Sequence, residues 1–157
     1  AEHAQQQAED IATAADQRIE AARQDAATRI AQARETASKA QVTSDVLAAP
    51  DLVRFNLSGG EGTTRISAQV LWSRSRGVVF AASSLPPLPA GRTYQLWYLT
   101  SGSPVSAGVF EPERDGRAIA FFPTPELTTA PSGFAVSLEP EGGVTAPTGA
   151  IYLAGQQ

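Results

Sequence analysis

The chain has 157 residues, a net charge of −4 at pH 7 and neither cysteine nor methionine. An acidic balance argues against a nucleic-acid partner, because binding to phosphates needs a basic stripe. Without cysteine the chain has no disulfides, no thiolate catalysis and no cysteine-ligated zinc. The most apolar stretch, Ala118–Phe122, is far shorter than the roughly 20 residues of a membrane helix. Because methionine is absent, we expect the chain to begin inside a longer protein.

Residues 1–41 contain no proline or glycine and consist mainly of good helix formers. Their apolar seam has a mean spacing of 3.5 residues, the period of a coiled coil, and comprises Ala12, Ala15, Ile19, Ala22, Ala26, Ile30, Ala33, Ala37 and Ala40. An alanine seam buries little area, so such a helix is marginal alone. We expect a helical stalk that pairs with a second copy, docks on the next domain or follows a membrane helix. A solvated linker helix is the alternative.

Residues 42–50 have the composition of a linker. Thr43–Asp45 can cap a short turn, and Pro50 favours extended backbone at Ala49. We therefore expect three regions: a stalk at 1–41, a linker at 42–50 and a β domain at 51–157.

The remainder alternates short β-rich runs with turn signals such as Ser58–Gly62 and Ser73–Gly77. Asp115-Gly116 predicts a hairpin turn over Glu113–Gly116 between two of the runs. Seven or eight strands at this spacing indicate a mainly β fold, an antiparallel sandwich or a barrel-like domain. The predicted strands are Val53–Leu57, Arg65–Trp72, Val78–Ser83, Thr93–Thr100, Val105–Phe110, Arg117–Phe122, Gly133–Leu138 and Ala150–Leu153.

The run Thr93–Thr100 carries apolar side chains on both faces, which is typical of a core strand. Tyr94, Leu96 and Tyr98 lie on one face, and Trp97 and Leu99 on the other. The proline-rich segment Leu85–Pro89 precedes it and can be neither helix nor central strand. Gly108 interrupts a later strand and indicates either a bulge or a close backbone approach.

Three candidate sites are best explained without chemistry. His3 is the single histidine, which excludes a Ser–His–Asp triad and a histidine metal cluster. Gly59–Gly62 lacks a lysine and the spacing of a phosphate-binding loop, and we expect a hairpin turn there. The acidic cluster Glu111, Glu113 and Asp115 lacks a calcium-loop pattern and is neutralised by nearby arginines.

Two further candidates stay open. Glu139 and Glu141 could form a catalytic carboxylate pair, but no third group orients them. We favour a structural role for Glu139, accepting backbone N–H bonds across the glycine-rich loop 139–149. The aromatic residues Trp72, Tyr94, Trp97 and Tyr98 could form a sugar- or peptide-binding platform, although aromatic residues in such strands are more often core.

The pattern Leu-Pro-x-Leu-Pro-x-Gly-x-x-Tyr-Gln-Leu-Trp at 85–97 resembles the signature of the anti-sigma-K factor C-terminal domain family. Similar motifs follow in order at Pro104–Gly108, Glu139–Gly143, Ala146–Gly149 and Leu153–Gly155, so the resemblance covers about residues 50–155. We expect the motif residues to be structural, and we predict no catalytic, cofactor-binding or metal-binding residue. They are Leu85, Pro86, Leu88, Pro89, Gly91, Tyr94, Gln95, Leu96, Trp97, Gly108, Glu139, Pro140, Gly142, Gly143, Pro147, Gly149 and Gly155.

The resemblance implies a regulatory role without enzymatic activity. It also implies a single-pass membrane protein. In the family, a cytoplasmic domain holds a sigma factor inactive until membrane proteases cut the protein and release the sigma factor. This chain would then be the extracytoplasmic, sensory end, with a membrane anchor upstream of Ala1. The alternative is a secreted carbohydrate- or peptide-binding β-sandwich module on a helical spacer.

Overall fold

A computed structural model describes residues 2–60, 65–127 and 129–156. It contains one helix followed by eight antiparallel strands, and this confirms the predicted mainly β fold. The helix α1 spans Glu2–Leu47. The strands are β1 (Val53–Gly59), β2 (Ser67–Ser73), β3 (Gly77–Ser83), β4 (Arg92–Leu99), β5 (Val105–Phe110), β6 (Ala118–Phe122), β7 (Gly133–Pro140) and β8 (Ile151–Gln156).

The chain divides into two compact units, residues 1–41 and residues 42–157. In the first unit, all described side chains up to Ala40 are exposed, and the ion pairs Asp25–Arg29 and Glu35–Lys39 join neighbouring helical turns. Exposed pairs of this kind contribute little to stability. Within the described ranges, no helix combines the length and the apolar composition needed to cross a membrane.

The helix continues six residues beyond its predicted end at Gln41. The turn predicted at Thr43–Asp45 is wrong, because these residues lie within α1. Val46 is fully buried in the second unit, so burial favours another helical turn over an early stop. The helix ends before Pro50, which has no N–H to continue the hydrogen-bonding pattern.

The eight strands form one sheet in the order β5-β4-β7-β8-β1-β2-β3-β6. Its two ends, β5 and β6, approach each other without pairing. A Cβ built on Gly108 of β5 would lie 2.5 Å from two ring atoms of Phe122 in β6. The sheet is therefore a nearly closed, barrel-like structure.

The predicted hairpin between β5 and β6 is wrong. A turn does form, since Gly116 N–H donates to the Glu113 carbonyl at 2.9 Å. However, β5 pairs with β4, and β6 pairs with β3. The Asp-Gly signal reports a local reversal of the chain, whereas strand pairing depends on burial of side chains from distant residues.

Alternate residues of the strands fill the interior of the sheet. Tyr94, Leu96 and Tyr98 of β4 contribute to this core, as predicted. Aromatic rings meet within it, for example Phe55 and Phe134 at 4.9 Å between centroids and Tyr98 and Phe134 at 5.0 Å. The other face of β4 is buried too, and it carries Thr93, Gln95 and Trp97. This second buried face holds the candidate site.

Candidate functional site: the β7–β8 loop and the outer face of β4

The β7–β8 loop (141–150) is bonded to buried side chains of β4 and β7. Gln95 makes the first attachment. Its side-chain amide donates to the Val144 carbonyl and accepts from the Val144 N–H, both at 2.9 Å. It also donates to Ser106 Oγ of β5 at 2.6 Å. The amide thus bonds to the loop as a neighbouring backbone strand would, and it ties the loop to β4 and β5.

Glu139 makes the second attachment. Its side chain has no accessible surface. The carboxylate accepts the backbone N–H of Thr148 at 3.0 Å and that of Gly149 at 3.1 Å, and the Thr148 hydroxyl at 2.5 Å. Charge-assisted bonds of this type are about twice as strong as neutral ones. The end of the loop therefore supplies most of the bonds that compensate this buried charge.

Trp97 extends this network into β4. Its indole Nε1 donates to Ser137 Oγ at 2.8 Å, and that hydroxyl donates to Glu139 Oε1 at 2.6 Å. Trp97 and Ser137 are both fully buried. A continuous chain of hydrogen bonds therefore joins β4, β7 and the loop, with the donors and acceptors of each bond satisfied.

The environment of Glu139 sets its charge. Burial raises the pKa of the carboxyl group, but the hydrogen bonds from Ser137, Thr148 and Gly149 outweigh that effect, so the pKa lies below its ordinary value. A catalytic general acid needs the opposite, a raised pKa and access to substrate. We therefore propose a structural role for Glu139, and its neighbour Glu141 is exposed.

The proline-rich segment is fixed to the start of β4. Leu85 lies in the interior core, and Leu88 packs against it. The Tyr94 hydroxyl donates to the Pro86 carbonyl at 2.8 Å, and burial raises the pKa of Tyr94 to about 12, so the phenol remains a donor. Arg92 N–H donates to the Pro89 carbonyl at 3.3 Å.

Backbone bonds also hold the first residues of the loop. The Gly91 carbonyl accepts the N–H of Glu141 at 3.0 Å, and the Pro140 carbonyl accepts that of Gly143 at 2.9 Å. Both ends of the loop and its middle are thus bonded to β4, to β7 or to the turn before β4. Pro147 is half-buried within the loop.

Three glycines of the motif lie where an added side chain would be too close to its neighbours. A Cβ at Gly149 would overlap the Leu138 carbonyl, and one at Gly143 would lie 2.7 Å from Val109 Cγ1. Gly143 and its neighbour Gly142 also adopt φ values of 80° and 87°, which side chains rarely tolerate. Gly155 of β8 is packed against the Asn56 carbonyl in the same manner.

The sequence left open whether Gly108 marks a bulge or a close approach of the backbone, and the structure shows both. The register between β4 and β5 shifts at Leu96 and Trp97, which leaves Ala107 as the extra residue of a bulge. Gly108 is also the point at which β5 approaches Phe122.

The aromatic platform is a wrong interpretation. Trp72, Tyr94, Trp97 and Tyr98 are all buried, so they cannot stack on a ligand. Tyr94 and Tyr98 belong to the interior core, and Trp97 is bonded to Ser137. Their burial agrees with the interpretation that the sequence favoured, in which the aromatic residues of a strand apolar on both faces are core.

The other candidates lie apart from this site. His3 is exposed on α1, and Glu111, Glu113 and Asp115 are exposed, with Asp115 paired to Arg117 at 2.8 Å. Among the described residues, no three acidic, histidine or cysteine side chains are grouped for a metal ion. Of the predicted turn Ser58–Gly62, Glu61 and Gly62 lie outside the described residues.

Sequence reasoning missed the partners of the motif residues, namely Ser106, Ser137, Val144 and Thr148. One signal was available for Ser137. It precedes Glu139 by two positions, so in a strand both side chains lie on the same face. The bonds to Val144 and Thr148 depend on the path of the loop, which no local pattern specifies.

Comparisons with known proteins address the identity of the chain. The family model described as "Anti-sigma-K factor rskA, C-terminal" matches residues 3–151, so the match includes α1 as well as the β domain. A relative from Mycobacterium ulcerans (strain Agy99), named anti-sigma-K factor RskA, is 34% identical over 115 residues, covering 70% of this chain and 45% of the relative.

An uncharacterized protein in a phr 5′ region of Streptomyces griseus is 34% identical over 126 residues, covering 74% of this chain and 48% of that protein. No solved structure matches the chain significantly. The chain spans about half the length of the curated relatives it matches. By the match over residues 3–151, the chain belongs to the anti-sigma-K factor C-terminal domain family.

Proposed function

We propose that this chain is the extracytoplasmic regulatory part of a transmembrane anti-sigma factor. The observation that carries the proposal is the family match over residues 3–151, together with a relative named as an anti-sigma-K factor. In this proposal a membrane helix lies upstream of Ala1 and joins the chain to a cytoplasmic domain that holds a sigma factor. Sigma-factor binding is assigned to no residue of this chain.

The regulatory step that we propose is controlled proteolysis. The folded β domain would limit access of membrane proteases to a cleavage site near the membrane, and loss of the fold would permit cleavage and release of the sigma factor. The hydrogen-bonded β7–β8 loop supports this, because a few buried polar bonds attach the loop to β4 and β7, and their loss would uncover that face. No catalytic step by this chain is part of the proposal.

Side-chain labelling in cells tests the location. Residues 1–157 contain no cysteine, so Ser101→Cys introduces the one thiol of this region, at an exposed position. A membrane-impermeant maleimide should label this variant of the full-length protein more strongly than the parent in intact cells, whereas a cysteine in a cytosolic enzyme should react only after lysis. If Ser101→Cys also required lysis, the extracytoplasmic location would be wrong.

Two neighbouring glutamates provide a matched test of the regulation. Glu139→Gln weakens the buried network, whereas Glu141→Gln alters an exposed side chain. We expect the first variant to increase proteolytic cleavage and transcription from sigma-factor-dependent promoters, and the second to behave as the parent. Equal transcription in both variants, with Glu139→Gln unfolded in vitro, would contradict control by the folded domain.

A further inference from the structure

The outer face of β1, β2, β3 and β6 differs from that of β4 because large apolar side chains are uncovered there. Ile119 is 79% exposed and Phe121 is 38% exposed. A shallow groove of about 480 Å³ lies on this face, and small side chains of β3 are part of its lining. Its lining includes Asn56, Gln69, Ala81, Ser83, Arg117 and Ile119.

Two exposed arginines lie on or beside this face. Arg54 of β1 is exposed on it, and Arg117, which lines the groove immediately before β6, forms a solvent-exposed pair with Asp115. The two arginines are separated by three strand spacings and about four residues along the strands, or roughly 20 Å. The apolar residues Ile119 and Phe121 lie on the β6 side of the line that joins the two arginines. The groove therefore suits an apolar surface with acidic groups along one edge.

The helix α1 has such a surface in its first half. Residues 2–20 contain five carboxylates and one arginine, whereas residues 21–41 contain four basic and two acidic side chains. By helical periodicity Glu9, Asp16 and Glu20 lie along one side of the seam that includes Ala12, Ala15 and Ile19. Glu9 and Glu20 are about 16 Å apart along the axis, which arginine side chains can span.

We propose that residues 2–20 of α1 bind the groove of a second copy of this chain. Ile19 and the neighbouring alanines contact Ile119 and Phe121, while the acidic edge of the helix faces Arg54 and Arg117. Because each copy has one helix and one groove, the two contacts are reciprocal and form a closed dimer.

Interface size favours the reciprocal arrangement. A 19-residue helix is about 28 Å long and about 10 Å wide, so one contact covers about 280 Å² of each partner and buries roughly 560 Å² counted over both. That is below the roughly 1,000 Å² that a specific interface should bury, whereas two contacts bury roughly 1,100 Å² and exceed it. The proposal does not depend on the regulatory role.

Charge exchange tests this dimer with the intact chain. Sedimentation equilibrium should give a dimer at low salt whose dissociation constant rises with ionic strength. The groove variant Arg54→Glu/Arg117→Glu and the helix variant Glu9→Arg/Asp16→Arg/Glu20→Arg should each raise that constant at least tenfold. Arg92→Glu, which reverses an exposed arginine of β4, is the matched control and should leave it unchanged.

Mixing provides the decisive comparison. Each charge-reversed chain alone should be monomeric, and an equimolar mixture should form a heterodimer, because both helix–groove contacts are then complementary. Circular dichroism of each variant verifies that α1 and the sheet remain folded. A parent that is monomeric at every concentration overturns the proposal. So does a dimer that is insensitive to groove reversal, which would mean that the helices pair with each other.

Discussion

Two outer faces of the same sheet differ in which kind of side chain is buried and which is exposed. On the face formed by β4 and β7, polar side chains are buried and bonded to the β7–β8 loop, as Gln95 and Glu139 illustrate. On the face formed by β1, β2, β3 and β6, no loop covers the described residues Ile119 and Phe121, and apolar side chains face solvent. The comparison teaches that burial, rather than polarity, separates the structural face from the face available to partners.

The largest contrast should come from Trp97 and Ile119. Trp97→Ala creates a cavity and leaves the Ser137 hydroxyl without its donor, so it should lower the free energy of unfolding by about 3–5 kcal/mol. Ile119→Ala removes an exposed side chain and should change it by no more than about 0.5 kcal/mol. Urea denaturation followed by far-ultraviolet circular dichroism measures both. Equal losses would remove the distinction between the faces.

The next effect should come from Glu139. In Glu139→Gln an amide replaces the acceptor of several hydrogen bonds, and its NH₂ group faces donors. We expect a loss of about 2–4 kcal/mol in unfolding free energy, because bonds to a buried charge are replaced by mismatched ones. Glu141→Gln is the control and should be neutral. A stability near that of the parent would mean that the network contributes little.

The same carboxylate predicts a pH dependence. Its folded-state pKa is lowered from 4.5, so its contribution is complete above the unfolded pKa and is lost as the pH falls through the folded pKa. Unfolding free energies measured between pH 7 and pH 3 should therefore fall less steeply in Glu139→Gln. Part of the pH dependence should remain in this variant because of Asp51. The hydrogen bond that Asp51 accepts from Ser73 also lowers the pKa of Asp51. Identical slopes in the variant and the parent would count against an ionised Glu139.

A smaller loss should follow from Gln95. Gln95→Leu keeps much of the volume but leaves the N–H and the carbonyl of Val144 without their side-chain partner. We expect the free energy of unfolding, obtained from urea denaturation, to fall by about 1–2 kcal/mol. The loss is limited because the loop can turn these groups toward water. Gln69→Leu, on the uncovered face, should be close to neutral. The opposite order of the two variants would contradict the comparison.

The fold was largely accessible from the sequence. Alternation and turn signals located all eight strands, and the two-faced pattern of Tyr94, Leu96 and Trp97 identified a strand covered on both sides. The pairing of β5 and β6 was predicted incorrectly because Asp115-Gly116 encodes a turn and not the partner of the strand. The end of α1 was missed since burial of Val46 is a tertiary effect.

The site was only partly accessible. Glu139 was singled out as an acceptor of backbone N–H groups, but its bonds to Ser137 and Thr148 depend on how the loop crosses the sheet. The uncovered groove gave no local signal, because Arg54, Ala81 and Ile119 are unremarkable residues until the register aligns their strands.

Residue-resolved hydrogen exchange by NMR tests most directly whether buried side chains hold the β7–β8 loop on β4. The amides of Val144, Thr148 and Gly149 donate to Gln95 and Glu139, whereas Thr145 lies between these attachments and is exposed. We expect slow exchange at the first three amides, fast exchange at Thr145, and loss of protection at Thr148 and Gly149 in Glu139→Gln. Uniformly fast exchange along the loop of the parent would contradict the account.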